Sequence, residues 1–78
     1  MKIYAIYDNV ALLTSDPFLA VNDDVAKRTY SYVLSRNPST AKDCDLICVG
    51  EFDQVKGFIS STEKSLVLTY ADLEKEIK

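Results

Sequence analysis

Apolar and polar positions follow two rhythms along this 78-residue chain. The first segment, KIYAIYD (Lys2 to Asp8), is β-branched and aromatic and reads as a strand. Both of its alternating sets are apolar: Ile3, Ala5 and Tyr7 on one side, Tyr4 and Ile6 on the other. NVALLTSDP is a connection, in which Pro17 pushes Asp16 toward an extended conformation. PFLAV is a short second strand, and Pro17, with no N–H to give, suits a sheet edge.

At Asn22 the period becomes helical. Asn22 is a good N-cap, and Asp23 and Asp24 stand in the first turn, where the macrodipole favours acids. Val25, Ala26, Thr29, Tyr30 and Val33 form the predicted inward stripe. The helix should stop near Arg36 or Asn37, ahead of Pro38, and NPSTAKD follows as a loop.

CDLICVGEFD is the strongest strand pattern, with Leu46, Cys48 and Phe52 predicted to point one way and Ile47 and Val49 the other. Its unbroken apolar run predicts a central strand covered on both faces. Gly50, late in the strand, predicts a bulge or a close backbone approach. QVKG then makes a four-residue hairpin loop, with Gly57 at the position that needs positive φ and Asp53 accepting backbone N–H groups. FIS begins the return strand, and SLVLT reads as one more strand. The chain closes with a helix over TYADLEKEIK. Thr69 is its N-cap with Asp72 three residues on; Tyr70, Leu73 and Ile77 share an apolar face, and Glu74, Lys75 and Lys78 are solvated.

The predicted fold class is α+β, a single domain over residues 1–78. It is a small antiparallel sheet of three to five strands with one main helix packed on it and a short C-terminal helix. Two central strands with two apolar faces need two covers. The main helix supplies one, and the C-terminal helix is too short for the whole of the other. The expectation is that a second copy, giving a homodimer, or another partner closes the remainder.

Composition narrows the function. A chain this short buries only about 60–65% of its unfolded surface, so its core is modest. A hydrophobic share of 47% argues against disorder. No apolar stretch approaches the ~20 residues of a membrane span, so no membrane partner is expected. The N-terminal MKIYAIYDNV lacks a small-residue cleavage site and reads as a strand, not a leader. Cys44 and Cys48, four apart on one strand face, are separated by about 13 Å, too far for a mutual disulfide or a shared zinc. With no histidine to complete a metal site, they read as small buried hydrophobes in a reducing compartment.

Catalytic chemistry finds little material. Asp43, Asp45, Glu51 and Asp53 fall on one parity and raise the question of a Mg²⁺ site. Asp45 and Glu51 would stand about 20 Å apart along the strand, which favours solvated strand ends, so no metal and no cofactor is expected. No nucleophile–base pair and no glycine-rich phosphate loop occurs, so no enzymatic activity is expected.

One constellation remains. Arg28, Tyr32 and Arg36 recur at i, i+4 and i+8 along the border of the main helix, with Lys27 and Lys42 nearby and no acid between Lys27 and Lys42. A ring between cations is the equipment of a single-stranded nucleic-acid platform. It is equally an ordinary amphipathic border, with arginine stems covering apolar surface. On residues alone, a net charge of −3 favours the second arrangement.

The order of motifs adds a resemblance. A strand ending in Tyr7-Asp8, then Pro17-Phe18, then the helical Ala26-Lys27-Arg28, then an apolar strand ending in Gly50-x-Phe52-Asp53 with Gly57 beyond, resembles the small nonstructural protein of gokushovirus-type microviruses, bacteriophages with circular single-stranded DNA. The loop STAKDCD departs from the Pro-Glu-Asp-Tyr-like lead-in of that family. The resemblance implies a nonenzymatic, non-virion protein of the host cytoplasm that assists viral genome replication or the switch to single-stranded DNA synthesis and packaging. It implies single-stranded DNA or phage and host replication proteins as partners. Read physically, Gly50, Phe52, Asp53 and Gly57 are bulge, core, turn and turn. Lys27, Arg28, Tyr32, Arg36 and Lys42 are the residues expected to meet DNA. The alternative is an acidic protein–protein adaptor acting on a replication protein through the second sheet face or a strand edge.

Overall fold

A computed structural model of the protein describes residues 1–76. Its spine is strand β1 (Lys2–Asp8), which pairs antiparallel with three others: β2 (Leu13–Thr14), β3 (Phe18–Ala20) and β4 (Cys44–Asp53). β5 (Phe58–Leu68) completes the sheet on the far side of β4, in the order β2-β1-β4-β5 with β3 also on β1. Helix α1 (Asp23–Ser35) links β3 to a short 3₁₀ turn (Ala41–Asp43), and α2 (Tyr70–Glu76) follows β5. The α+β architecture is the one the sequence predicts. Ile77 and Lys78, assigned to the last helix from the sequence, lie outside the described residues.

β2 and β3 take the two ends of β1: Tyr7 and Asp8 pair with Thr14 and Leu13, and Lys2 to Tyr4 pair with Ala20 to Phe18. Pro17, without an N–H, stands in the gap between them. Ser15 satisfies Ile6 there. Its N–H donates to the Ile6 carbonyl at 2.8 Å, and its hydroxyl accepts the Ile6 N–H at 2.9 Å. The turn before β2 is held by Asp8, whose Oδ1 accepts the N–H groups of Val10 and Ala11 at 2.9 and 3.0 Å. This turn puts Leu12 in the left-handed region, at φ 59°.

Both helices pack on the same sheet face. Tyr4, Ile6, Leu46 and Leu68 from the strands meet Ala26, Tyr30 and Leu34 of α1 and Leu73 of α2 in one buried cluster. Two buried tyrosines tie the layers together. Tyr4 donates to Asp23 Oδ1 at the start of α1 at 2.5 Å, and Tyr30 donates to the Cys44 carbonyl of β4 at 2.6 Å. Asn22 caps α1 through Val25 N–H at 2.9 Å, and Arg36 is the C-cap. Thr69 accepts the Asp72 N–H at 3.2 Å in α2. The inward stripe of α1 is centred on Ala26, Tyr30 and Leu34, while Val25, Thr29 and Val33 flank it half-buried.

The opposite face is apolar as well. Ile3, Ala5 and Ile47 are buried there, outside the helix-side cluster. Two expectations need correction. Ile3 pairs with Gly50 and Tyr4 with Cys48, so Val49 is an extra, bulged residue. Past the bulge the alternation inverts, and Phe52 lies on the face of Ile3, not on that of Leu46. The same inversion separates Asp45, which pairs with Tyr7, from Glu51, which pairs with Lys2, so the four acids do not share a face. SLVLT, in turn, is not a separate strand. It continues the 11-residue β5, because ladder pairing to β4 carries the polar SSTEK stretch along. Thr62 to Lys64 are the irregular part, opposite Val49 alone.

The two glycines do different work. A Cβ on Gly50 would sit 2.6 Å from the Ser60 carbonyl oxygen, so β4 and β5 approach too closely for any side chain. Gly57 has open space but a φ of +76°. The loop it closes is fastened by Asp53, which takes the Val55 and Lys56 N–H groups at 2.9 Å each. Gly50→Ala should lower stability by about 1–3 kcal/mol through steric displacement. Gly57→Ala should cost about 1–2 kcal/mol through backbone strain alone. Gly57→Asn should recover part of that loss, since asparagine tolerates left-handed backbone, whereas Gly50→Asn should recover nothing. Urea unfolding of the four variants separates the two mechanisms.

Candidate nucleic-acid interface

Helix periodicity decides where the basic row goes. Arg28, Tyr32 and Arg36 each stand two positions after the buried Ala26, Tyr30 and Leu34. Two positions are about 200° of helix rotation, so the row runs along the side facing away from the sheet. Arg28 and Arg36 are exposed and Tyr32 is 61% exposed. The sequence placed this row at the border of the buried stripe; the structure places it at the outermost edge of the helix, because the stripe is centred on the 26-30-34 line.

Arg36 already engages the tyrosine. Its guanidinium carbon lies 5.8 Å from the Tyr32 ring centroid, and its Nη1 donates to the Tyr32 hydroxyl at 3.3 Å. Asn37 and Ser35 secure this end of the helix by donating to the Val33 and Tyr32 carbonyls at 2.9 and 2.6 Å. The result is an ordered ring carrying a cation beside it.

The two lysines are placed differently. Lys27 points to the C-terminal helix, its Nζ 3.3 Å from Glu76 Oε1, and ties α1 to α2. Lys42 is exposed on the 3₁₀ turn beyond the C-terminal end of α1. Arg28, Arg36 and Lys42 form no ion pair among the described residues, where Lys2–Asp23 and Lys27–Glu76 are the pairs. Thus Arg28, Tyr32 and Arg36 are brought together on one surface, Lys42 lies further along, and Lys27 is committed elsewhere. From Val25 to Lys42 the chain contains no acid.

Gly50 and Phe52 lie on the helix-free face at the bulged end of β4, and Asp53 and Gly57 bound the loop after it. Phe52 lines a shallow hollow of about 240 Å³ with Ile3, Pro17, Phe18, Leu19 and Ile59. Sequence reasoning missed this hollow because it assigned Phe52 to the wrong face. The pairing of Gly50 with Ile3 was the signal needed, and pairing is not written in local pattern.

The titratable groups that are displaced serve the core. Burial, then the hydrogen bond and negative charge of Asp23, push the Tyr4 hydroxyl well above the ordinary tyrosine range. Burial, then the charge of Asp45, does the same to Tyr30. Cys44 is also raised, by burial and then by Asp8, Asp43 and Asp45, which favours its neutral thiol. Among the described residues no cluster of three or more metal-ligating side chains is gathered, and no helix is long and apolar enough to cross a membrane.

These features define a two-layer α+β protein with a cationic, aromatic ridge on its main helix. The family described as Phage ORF5 protein matches residues 1–73, and the chain belongs to it: this is a phage protein. No curated protein and no solved structure matches the chain.

Tyr4 and Tyr30 make stability depend on alkaline pH. Their pKa values are raised in the folded state, so their contribution is complete below the ordinary value near 10 and is lost as pH climbs above it. Stability in urea should fall above pH 10, by up to about 1.4 kcal/mol per pH unit for each tyrosine. Tyr4→Phe should flatten that slope while lowering stability at neutral pH. Urea titrations at pH 8, 10 and 11 check both signs.

Proposed function

We propose that this phage protein assists viral genome replication without catalysing a reaction, by holding single-stranded DNA along the outer side of α1. The observation that carries the reading is the Arg28–Tyr32–Arg36 row: exposed, free of ion pairs among the described residues, and set in a stretch without acids. Tyr32 offers a ring for base stacking, Arg28 and Arg36 meet phosphates, and Lys42 extends the cationic track. The net charge of −3 keeps the grip weak and confines it to this ridge. The resemblance in motif order supports a gokushovirus-type microvirus as the phage concerned. There the protein would act in the host cytoplasm during replication or the switch to single-stranded synthesis and packaging.

A second reading, a protein–protein adaptor for a replication protein, draws on β5. Its outer edge pairs with no strand among the described residues, and most of its 11 residues are exposed. An incoming extended segment could add there.

Titration of labelled single-stranded DNA at 50 and 200 mM salt separates the two. Wild type should bind at 50 mM and weaken steeply at 200 mM. Arg28→Ala with Arg36→Ala should bind at least about tenfold more weakly and reduce the slope of log K against log salt by about 1.4, two phosphate contacts at ~0.7 each. Tyr32→Ala should lose about 1–3 kcal/mol and Tyr32→Phe should keep most of the binding. Lys27→Ala should leave DNA affinity nearly unchanged. Absence of wild-type binding at 50 mM overturns the DNA reading and favours the adaptor.

A further inference from the structure

The helix-free face of the sheet has no use in the DNA reading, and it is strongly apolar. Register places Ile3, Ala5, Ile47, Phe52, Ile59 and Leu66 on it. Leu19, paired with Ile3, extends it on β3. Ile59 and Leu66 are 69% and 62% exposed, and Leu19 is 47% exposed. Both helices are committed to the other face.

We infer that this face is the interface of a homodimer, in which two sheets pack face to face around a two-fold axis. Charge and area point to a second copy as the occupant. The charged residues that register and contact place here are Asp45, paired with Tyr7, and Lys64, whose Nζ lies 5.8 Å from the Tyr7 ring centroid. They are opposite in sign and stand at one end, so the apolar centre is neutral. Two copies of a face whose placed charges cancel meet without net like-charge repulsion. The same neutrality disfavours nucleic acid, which needs cations. The two longer extents of the subunit, 39 and 27 Å, leave room for the roughly 800 Å² per partner of a standard stable interface. Gly50 and Ser61, opposite one another across β4 and β5, leave a shallow place in this surface, and the hollow lined by Ile3, Leu19, Phe52 and Ile59 can receive side chains from the facing sheet. An isologous pairing uses each ridge and each hollow twice.

Sedimentation equilibrium between 5 and 500 µM tests this (concentrations chosen as roughly bracketing a micromolar dimer constant). Wild type should move from 8.7 kDa toward about 17 kDa. Ile59→Glu and Leu66→Glu replace side chains that are mostly exposed in the single subunit, so each should keep its far-UV circular dichroism and stay monomeric, weakening association at least about a hundredfold. Val55→Glu, at a loop position 95% exposed, should dimerise like wild type. A wild type that remains a monomer at 500 µM overturns the inference, leaving the face to a different partner. So does a folded Ile59→Glu or Leu66→Glu variant that still dimerises. If either variant fails to fold, the wild-type mass and the remaining variant decide. DNA titration is not involved, so failure here leaves the reading of α1 untouched.

Discussion

The pairing of β1 with β4, and the single extra residue in it, governs the rest of this structure. These two central strands supply Tyr4, Ile6 and Leu46 to one face and Ile3, Ala5 and Ile47 to the other. Had the ladder run without interruption, Phe52 would have joined the helix-side core and Glu51 would have faced away from it. The bulge at Val49 reverses both. It lets Lys2 and Glu51 stand opposite one another on the helix side, where Lys2 also lies 3.8 Å from Asp23. It also sends the aromatic ring of Phe52 to the uncovered face. Gly50 is the next residue because the strands close in just there, with no room for a side chain beside the Ser60 carbonyl.

The helix layer follows from a matching constraint. Ala26 and Tyr30 are fully buried, and the hydrogen bond from Tyr30 to the Cys44 carbonyl, with that from Tyr4 to Asp23, ties α1 to the sheet. Once the 26-30-34 line is down, the 28-32-36 line is up. Core packing and the cationic ridge are thus one arrangement read from two sides. The tyrosine at position 30 and the tyrosine at position 32 have opposite fates for no reason but helical pitch. The α2 helix adds to this layer through Leu73 and the Lys27–Glu76 pair, which is why Lys27 does not serve the ridge.

Local signals carried most of the fold. The N-caps Asn22 and Thr69, the Asp53 turn with Gly57 at positive φ, and the limits of β1, β3, α1 and β4 are written in short stretches of sequence, and the structure has them there. Failures came where a long-range partner overrides local character. SSTEK has turn-like composition, yet β4 holds it in a continuous strand. Phe52 obeyed a parity count until the β1 register inserted Val49. Lys27 looked free until α2 folded back beside it. Leu34 was legible, standing four residues after Tyr30, and so was the outward turn of Tyr32. Counting from the buried line and not from the first apolar residues would have placed both.

The two exposed surfaces stand on opposite sides of one sheet, and this restricts how they can work together. In the proposed dimer, face-to-face pairing of the sheets would leave each α1 on an outer surface. With a shortest extent of 19 Å per subunit, the two ridges would then stand up to about twice that distance apart, facing in opposite directions. A short run of nucleotides held on one ridge therefore cannot touch the other. Such an assembly would gather two separate stretches of strand, each held by a few contacts. Weak binding at each ridge is compatible with useful overall affinity when both act on one long molecule, because the second contact is made at high effective concentration. In the proposed dimer the doubled ridge would add affinity for one long strand without any new contact on either ridge.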